Sequence, residues 1–499
     1  MFKEWDLLRN FRARLWVHCP ALVATALFVA VFCLISLVNH SFYRTYALDL
    51  GLYSHSAWKY AHFMLPDRSL FLGSRDLLLA DHFDLHLALW SPLTYLFGEW
   101  TLLVVQILAV AMGGLGLYRF IIEVHADRGL ATVMMCCGFA FFGIHTAFAF
   151  DFHSSVVAAM ALPWYLLALR QGRLARSWWL LFFMIIAKEN IGFWMFVVAL
   201  ASLGLPGGSG TSRWHVISQA LVALVWSVLV VSVVMPAVSA SGQFQHNNYS
   251  VLGRSGGEII ENVFTHPLNV FRAFFEDVLG KHPQGTGIKL EFYFLLLVSG
   301  GWALFKRWPY LLMCIPLLAQ KMLHDKVGMW GCFAHYSVEF SMIIPLAVAS
   351  VVVDVRQRWL RLAMAWGTLL STMGATQYTL EFPIEHAARD HGYHDSIRFY
   401  QGRHYVRRFD TEKVDRSLET IPKDAAVSAL APLVPHLIAR RDLYMFPVVE
   451  NAEYIVLLPG EFPYPMTPDE YDQRIRSLRE DPAWRTVLDD PEIIIFKRN

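Results

Sequence analysis

Long apolar runs separated by short polar turns dominate the first 380 residues of the chain. A helix that crosses a bilayer needs about 20 apolar residues, because its backbone must satisfy its own hydrogen bonds where water is absent. Nine runs fit this pattern and predict membrane-spanning helices: 17–38, 101–122, 130–150, 154–170, 214–238, 288–305, 308–322, 337–353 and 358–377. The pattern therefore predicts an α-helical polytopic membrane protein.

Two further apolar stretches are ambiguous. Residues 85–97 are too few to span comfortably, and three polar residues at 188–190 interrupt the run 178–204. If 85–97 stays outside and 178–204 forms two short helices, the basic residues Arg170–Arg176 fall inside, as basic loops do. The competing interpretation, with 85–97 as a span and 178–204 as one helix, places that cluster outside. We therefore predict about eleven helices.

This topology places three segments outside the cytoplasm, namely the loops 39–100 and 240–287 and the tail from residue 381. The first apolar run follows a basic N-terminus, is long enough to span, and precedes no small-residue cleavage site. We interpret it as a retained first helix with a cytoplasmic N-terminus rather than a signal peptide.

The tail differs from the rest in charge and in pattern. It holds 16 Lys and Arg against 21 Asp and Glu, whereas residues 1–380 hold 26 against 20. Thr467 before Pro468 is a typical helix start. We predict a transmembrane domain at 1–380 and a small soluble α/β domain at 381–499, with strands at 426–430, 443–446, 454–458 and 492–497 and helices at 411–419, 432–440 and 468–480.

Composition narrows the possible functions. Hydrophobic residues make up 56% of the 499 residues and charged residues 17%, where soluble domains carry about 25% charged residues. These values exclude a single soluble globule, a disordered chain and nucleic-acid binding by bulk charge. The six cysteines lie in or beside apolar runs without a CxxC spacing, so no disulfide framework or metal motif is predicted. We expect no cofactor, with a divalent metal left open.

Charged and polar residues beside apolar spans are functional candidates, because they are costly in a membrane. Asp49 lies just past the first span and suits either a general base or a helix cap. Asp81, His82, Asp84 and His86 follow in the same loop; a His–Asp pair suits proton transfer, and the group is an incomplete metal set.

Three more clusters lie beside later spans. Asp151 and His153 join two spans by almost no loop, where a helix cap is the structural alternative. Lys188 and Glu189 interrupt an apolar run, either as a phosphate-binding site or as a structural ion pair. The last cluster suits an anion if its members share one face: Lys321, His324, Lys326, His335 and Tyr336.

In order along the chain, these motifs resemble a family of bacterial polytopic membrane proteins catalogued as domain of unknown function two thousand seventy-nine. The matching stretches are Asp49-Leu-Gly51-Leu-Tyr53 with Trp58, Asp81-His82-Phe83, Ser91-Pro92-Leu93, Asp151-Phe-His153, Lys188-Glu189-Asn190, His335-Tyr336, Val427-Ser-Ala and Pro435-His-Leu.

That family in turn resembles the GT-C class of membrane glycosyltransferases. The class takes sugars from polyprenyl-phosphate donors outside the cytoplasm and uses an acid of the first outer loop as its base. The resemblance implies Asp49 as the base, with Asp81 or Asp84 as the second acid. His82 is a further predicted catalytic residue because it stands next to Asp81, although the histidines are not a signature of the class. The class often carries a DE or DxD pattern at this point, whereas Leu50-Gly51 follows Asp49 here.

The resemblance also implies the partners and the location. We expect a polyprenyl-phosphate-linked sugar, membrane lipids, an acceptor of unknown identity and no nucleic acid. The expected location is a bacterial inner membrane, with the tail in the periplasm. The residues predicted to bind the substrate are Lys188, Glu189, Asp151, His153, Lys321, His335 and Tyr336.

Three hypotheses follow from these residues. The first is a glycosyltransferase that uses a polyprenyl-phosphate sugar. The second is a transporter or lipid-handling protein without chemistry, although no inverted repeat of broken helices is visible. The third is a metal-dependent membrane phosphatase or transferase using Asp81, His82, His86 and His153, which stoichiometric metal would identify.

Overall fold

The computed structural model of the chain describes residues 2–67, 70, 76–205, 208, 210–253, 256–382 and 393–499. Arg254, a further candidate cation for a phosphate, lies outside them. The α-helices of the first half are α1 Phe2–Ser41, α2 Leu52–Ala61, α3 Leu78–Asp81, α4 His86–Trp90, α5 Thr94–Phe97, α6 Thr101–His125, α7 Arg128–Ala140, α8 Phe142–Phe148, α9 Ser154–Ala159, α10 Leu162–Arg170, α11 Leu174–Ile185 and α12 Ile191–Ser202.

The second half continues the helical bundle and ends in a small sheet. Its α-helices are α13 Arg213–Leu229, α14 Met235–Val238, α15 Gly256–Thr265, α16 Pro267–Ala273, α17 Gly285–Val298, α18 Trp308–Met322, α19 Phe340–Val352, α20 Arg358–Glu381, α21 Tyr393–Ile397, α22 Thr411–Glu419 and α23 Pro468–Glu480. Its strands are β1 Val427–Ala429, β2 Leu443–Met445, β3 Tyr454–Leu457, β4 Trp484–Asp489 and β5 Ile494–Arg498.

Among the described residues, three helical stretches are long and apolar enough to cross a membrane: His18–Ser41, His86–His125 and Arg213–Val238. A fourth candidate is the pair α7 and α8, which bends by 45° at Phe141. Several other apolar helices are shorter, α11 and α12 among them. The predicted break in the run 178–204 is confirmed, while the count of eleven spans stays a prediction.

The C-terminal sheet has the strand order β2-β1-β3-β5-β4. Strand β1 pairs in parallel with β2 and with β3, and the side chains of these three strands are buried. Strand β5 pairs antiparallel with β3 and with β4. Helix α23 begins with a capping box between Thr467 and Glu470, which satisfies the first free amides of the helix. The predicted helix start is therefore confirmed.

The tail packs directly on the first loop. Residues of α1, of the first loop and of α6 share one hydrophobic core with the sheet. The guanidinium of Arg44 donates to the carbonyls of Asp395, His404 and Val406 at 3.2, 2.7 and 2.6 Å. These contacts fix the tail at one end of the helical bundle. We call this end, where the first loop and the tail meet, the tail side.

The backbone of the first loop comes close to the tail at Gly51. The π-helical turn Ala47–Gly51 is covered by the 3-10 turns of Ala431–Leu437. A Cβ atom on Gly51 would stand 2.8 Å from Cγ1 of Val434, a fully buried side chain. The glycine thus lets the tail contact the backbone that carries Asp49.

We expect Gly51→Ala to destabilise the protein by about 1–3 kcal/mol, because overpacking forces a buried side chain or the backbone to shift. Thermal unfolding of the purified protein measures the change. Gly367→Ala on α20 is the matched control, since its added Cβ meets nothing within 4 Å. Val434→Ala combined with Gly51→Ala should recover part of the loss, and an unchanged melting temperature for Gly51→Ala would contradict the contact.

Candidate functional site

A cavity of about 290 Å³ lies between α12, α18, the segment before α19 and residues 244–249 of the second loop. Three lysines and two glutamates line it, so it carries one excess positive charge when its histidines are neutral. A concave site with this charge favours an anionic ligand. The ionisable lining residues are Lys188, Lys321, Lys326, Glu189, Glu339, His82, His246, His324 and His335.

The helix break between α11 and α12 brings Lys188 and Glu189 to the cavity wall. Glu189 is buried and accepts hydrogen bonds from the His82 ring at 3.3 Å and from the amide of Phe83 at 3.2 Å. The ammonium of Lys188 makes no hydrogen bond or ion pair with any described residue. The break therefore supplies one compensated carboxylate and one cation whose charge is available to a ligand.

Asp49 lies beside a second break, the one between α8 and α9. Its Oδ2 is 3.2 Å from Nε2 of His153. Gln106 of α6 holds this break, because its amide donates to the carbonyl of Asp151 at 2.8 Å and accepts from the amide of His153 at 3.0 Å. A helix side chain thus fixes the imidazole that faces Asp49.

His153 connects Asp49 to the cavity. Its ring stacks on that of His335 with centroids 3.4 Å apart, and His335 in turn packs against Tyr336 at 4.3 Å. His335 and Tyr336 both line the cavity. The structure therefore brings four predicted site residues together: Asp49, His153, His335 and Tyr336.

The surroundings of Asp49 keep its carboxylate ionised. Burial alone raises the pKa of Asp49, but the hydrogen bond and charge of His153 lower it, as do the charges of His82 and Lys188. The net result is a pKa below the ordinary aspartate value. Asp84 behaves in the opposite way, because burial raises its pKa to about 7 despite hydrogen bonds from Ser154 and from backbone amides.

Asp81, His82 and His246 form a group whose ligand atoms lie within 4.8 Å of one another. His246 Nε2 is 2.9 Å from Asp81 Oδ1, and its ring stacks on that of His82 with centroids 4.6 Å apart. A carboxylate and two imidazoles are ligands that suit a divalent transition metal.

The metal set expected from the sequence for the third hypothesis is not assembled. The ring of His86 bonds to the carbonyl of Phe183 at 2.7 Å, and His153 pairs with Asp49. Neither belongs to the group around Asp81.

Two other predicted residues have structural partners. The ammonium of Lys321 donates to the carbonyls of Met329, at 2.6 Å, and of Gly331, and it is 2% exposed although it lines the cavity. The buried carboxylate of Asp151 accepts from the amide of Tyr46 at 3.3 Å. Both side chains hold loops of the site, and their roles in binding a substrate stay predictions.

The sequence reasoning missed three residues of this site: Gln106, His246 and Tyr249. Gln106 is an isolated polar residue inside the apolar run 101–122, which is a detectable signal. His246 and Tyr249 lie in a loop rich in Gly, His and Asn whose position no local pattern reveals. Their place on the cavity wall follows only from the fold.

The described residues form a helical bundle with breaks on one side and a sheet domain that covers the first loop, and the likeness of this arrangement to a solved structure shows a GT-C-like fold. The solved structure of ArnT from Cupriavidus metallidurans bound to undecaprenyl phosphate is similar, with a TM-score of 0.50 and 13% identity over 94% of this chain and 97% of ArnT. The apo state of that ArnT gives a TM-score of 0.46 at 12% identity over the same shares.

The chain belongs to the family described as "Predicted membrane protein (DUF2079)", whose model matches residues 40–484. This match confirms the family expected from the sequence motifs. Among curated proteins no match is found. At 13% identity the likeness to ArnT shows the fold, and it confirms the fold class predicted from the sequence.

We expect the purified protein to hold less than one equivalent of divalent metal. Asp81 and His246 already pair directly, so an ion would have to displace their hydrogen bond. Elemental analysis of protein purified without chelator measures this. One equivalent of metal that disappears in His246→Ala, while the helical content is kept, would contradict the expectation and favour a metal-dependent enzyme.

Proposed function

We propose that this protein is a GT-C-like glycosyltransferase that moves a sugar from a polyprenyl-phosphate donor to a lipid, glycan or protein acceptor. The observation that carries the proposal is the pair of Asp49 and His153, joined through His335 to a cavity with excess positive charge. A base and an anion site thus lie next to each other, which is the arrangement that this transfer needs.

The donor phosphate is assigned to the cavity beside Lys188. A polyprenyl donor keeps its tail in lipid and its phosphate at headgroup level, so its site needs apolar and cationic walls together. Phe193 and Val231 provide apolar lining in the same cavity as the polar residues. The solved ArnT complex contains undecaprenyl phosphate, a ligand of this chemical class.

In the proposed reaction, Asp49 accepts the proton of the acceptor hydroxyl while the hydroxyl oxygen attacks the anomeric carbon. The bond from that carbon to the phosphate oxygen breaks, and polyprenyl phosphate leaves with the electron pair. Lys188 stabilises the charge that develops on the phosphate. Attack opposite to the leaving group inverts the anomeric configuration, and His153 positions the carboxylate throughout.

The tail side is assigned to the periplasmic face of a bacterial inner membrane. Basic residues cluster in the turns that the charge pattern places in the cytoplasm, such as Arg170–Arg176 and Arg356–Arg361. The first loop and the tail, which pack together, then lie with the cavity on the opposite face. The sugar acceptor would approach from the periplasm.

Asp49→Asn should lower turnover of a polyprenyl-phosphate sugar by about 100-fold or more, because a positioned general base contributes that much. Release of free polyprenyl phosphate by purified protein is the measurement, with a panel of donor sugars. Asp67→Asn is the matched control, since Asp67 pairs with Lys59 in the same loop and does not line the cavity. Full activity of a folded Asp49→Asn variant would refute the assigned base.

His153→Ala should move the acid limb of turnover to higher pH. The hydrogen bond and charge of His153 lower the pKa of Asp49, so their loss leaves burial to raise it. The ionised base is then lost at a higher pH as the pH falls. The profile of kcat/KM against pH measures this, and His153→Gln, which keeps a neutral donor, should shift the limb less. An acid limb at the same pH in His153→Ala as in the wild type would show that His153 does not control the pKa of the catalytic base.

A further inference from the structure

The second loop carries an apolar surface that no described part of the chain covers. Helices α15 and α16 expose large hydrophobic side chains, with Phe264 80%, Leu268 68% and Phe271 62% exposed. Asn269, Arg272 and Glu276 form a neighbouring polar stripe, in which Arg272 and Glu276 pair at 2.6 Å. We call residues 256–279 the amphipathic arm.

The apolar face of the arm continues onto α17, which lies largely in the run 288–305 that the sequence predicts to span the membrane. Phe271 packs against Phe275 with ring centroids 5.4 Å apart, and Phe275 packs against Tyr293 of α17 at 5.2 Å. Beyond Tyr293, α17 exposes Phe294 and Leu297, which are 62% and 44% exposed. Tyr293 lies eight residues after Gly285, the first residue of α17, which is about 12 Å along the helix axis.

The arm is anchored rather than loose. Lys289 of α17 is 2% exposed, and its ammonium donates to the carbonyls of Ala273, Glu276 and Met322 at 2.7, 3.1 and 2.8 Å. The same ammonium lies 4.2 Å from the ring centre of Trp330. One buried cation thus ties the end of α16 to the end of α18.

We propose that the amphipathic arm lies in the bilayer leaflet on the tail side, with its apolar face in contact with lipid acyl chains. A helix with one apolar and one polar stripe beside a membrane takes this position, with its apolar face about 5–10 Å below the headgroups. The occupant is lipid because the exposed face continues through Phe275 and Tyr293 onto the exposed apolar side chains of α17, a helix in the predicted span 288–305.

This position has a consequence for the cavity. The arm and the cavity wall belong to one loop, in which His246 and Tyr249 line the cavity and Ser250 donates its amide to Asp325 at 3.1 Å. The arm also bonds the chain just after the wall, because Asn262 donates to the carbonyl of Leu252 at 2.9 Å. Lipid at the arm is adjacent to the proposed site of a lipid-linked donor, although the membrane contact itself does not depend on that function.

The first test uses the wild-type protein in vesicles of phosphatidylethanolamine and phosphatidylglycerol. A trace phospholipid carries a photoreactive diazirine near the start of its acyl chain. After illumination, mass spectrometry should find lipid adducts on the peptides that contain Phe264 and Phe271. Absence of adducts there, with adducts present on α17, would overturn the proposal.

The second test resolves the two stripes of α16. An environment-sensitive fluorophore is attached at Phe271→Cys or Asn269→Cys, after the six natural cysteines have been replaced and folding has been checked by thermal unfolding. Lipids with a quencher on the acyl chain should remove most of the emission at position 271 and little at position 269. Equal quenching at both positions would overturn the assignment. So would a fluorophore at position 271 that is shielded from water but is not quenched by lipid, which is the result expected if a second copy of the chain covered the arm.

Discussion

The need to satisfy interrupted backbone inside a membrane protein organises this structure. Each helix break on the tail side leaves carbonyl and amide groups that lipid cannot satisfy. Gln106 forms hydrogen bonds on both sides of the break that contains His153. Ser227 donates to the carbonyl of Glu189 at 2.6 Å. The buried ammonium groups of Lys289 and Lys321 donate hydrogen bonds to loop carbonyls. The proposed site residues His153 and Lys188 therefore lie in helix breaks whose backbone groups are hydrogen-bonded by side chains of neighbouring helices.

This arrangement separates two kinds of polar residue that look alike in a sequence. Lys188 and Lys321 both interrupt apolar surroundings beside the same cavity. Lys321 neutralises loop carbonyls and is enclosed, whereas Lys188 makes no such bond among the described residues. Asp84 and Asp49 differ in the same way. The carboxylate of Asp84 accepts a hydrogen bond from the backbone amide of His86, whereas the carboxylate of Asp49 faces the imidazole of His153.

The sequence predicted those elements whose signals are local. The helices at 411–419 and 468–480 begin and end where expected, because capping residues and amphipathic spacing mark their ends. The predicted helix at 432–440 consists instead of 3-10 turns over Ala431–Leu437, a segment with prolines at 432 and 435. Strand β4 was missed because it is an edge strand with mostly exposed side chains and no alternating pattern.

The site itself could be predicted only in part. Asp49, His153, His335 and Tyr336 were found because polar residues beside apolar spans are conspicuous, and the structure brings them together. The contacts among these residues form because loops and helix breaks that are far apart in the sequence lie next to each other in the fold. The spacing of residues along the chain does not reveal such contacts. The same reason hid His246, whose contact with Asp81 joins two loops 165 residues apart.

The contact between Gly51 and Val434 also sets an order of events during synthesis. The turn that carries Asp49 is made early, whereas the 3-10 segment that covers it is made nearly four hundred residues later. A nascent chain therefore leaves this turn without its cover until the segment around Val434 has been made and has folded against it. The turn of Asp49 thus gains its cover last, and a chain that stops short of Val434 carries Asp49 without this support.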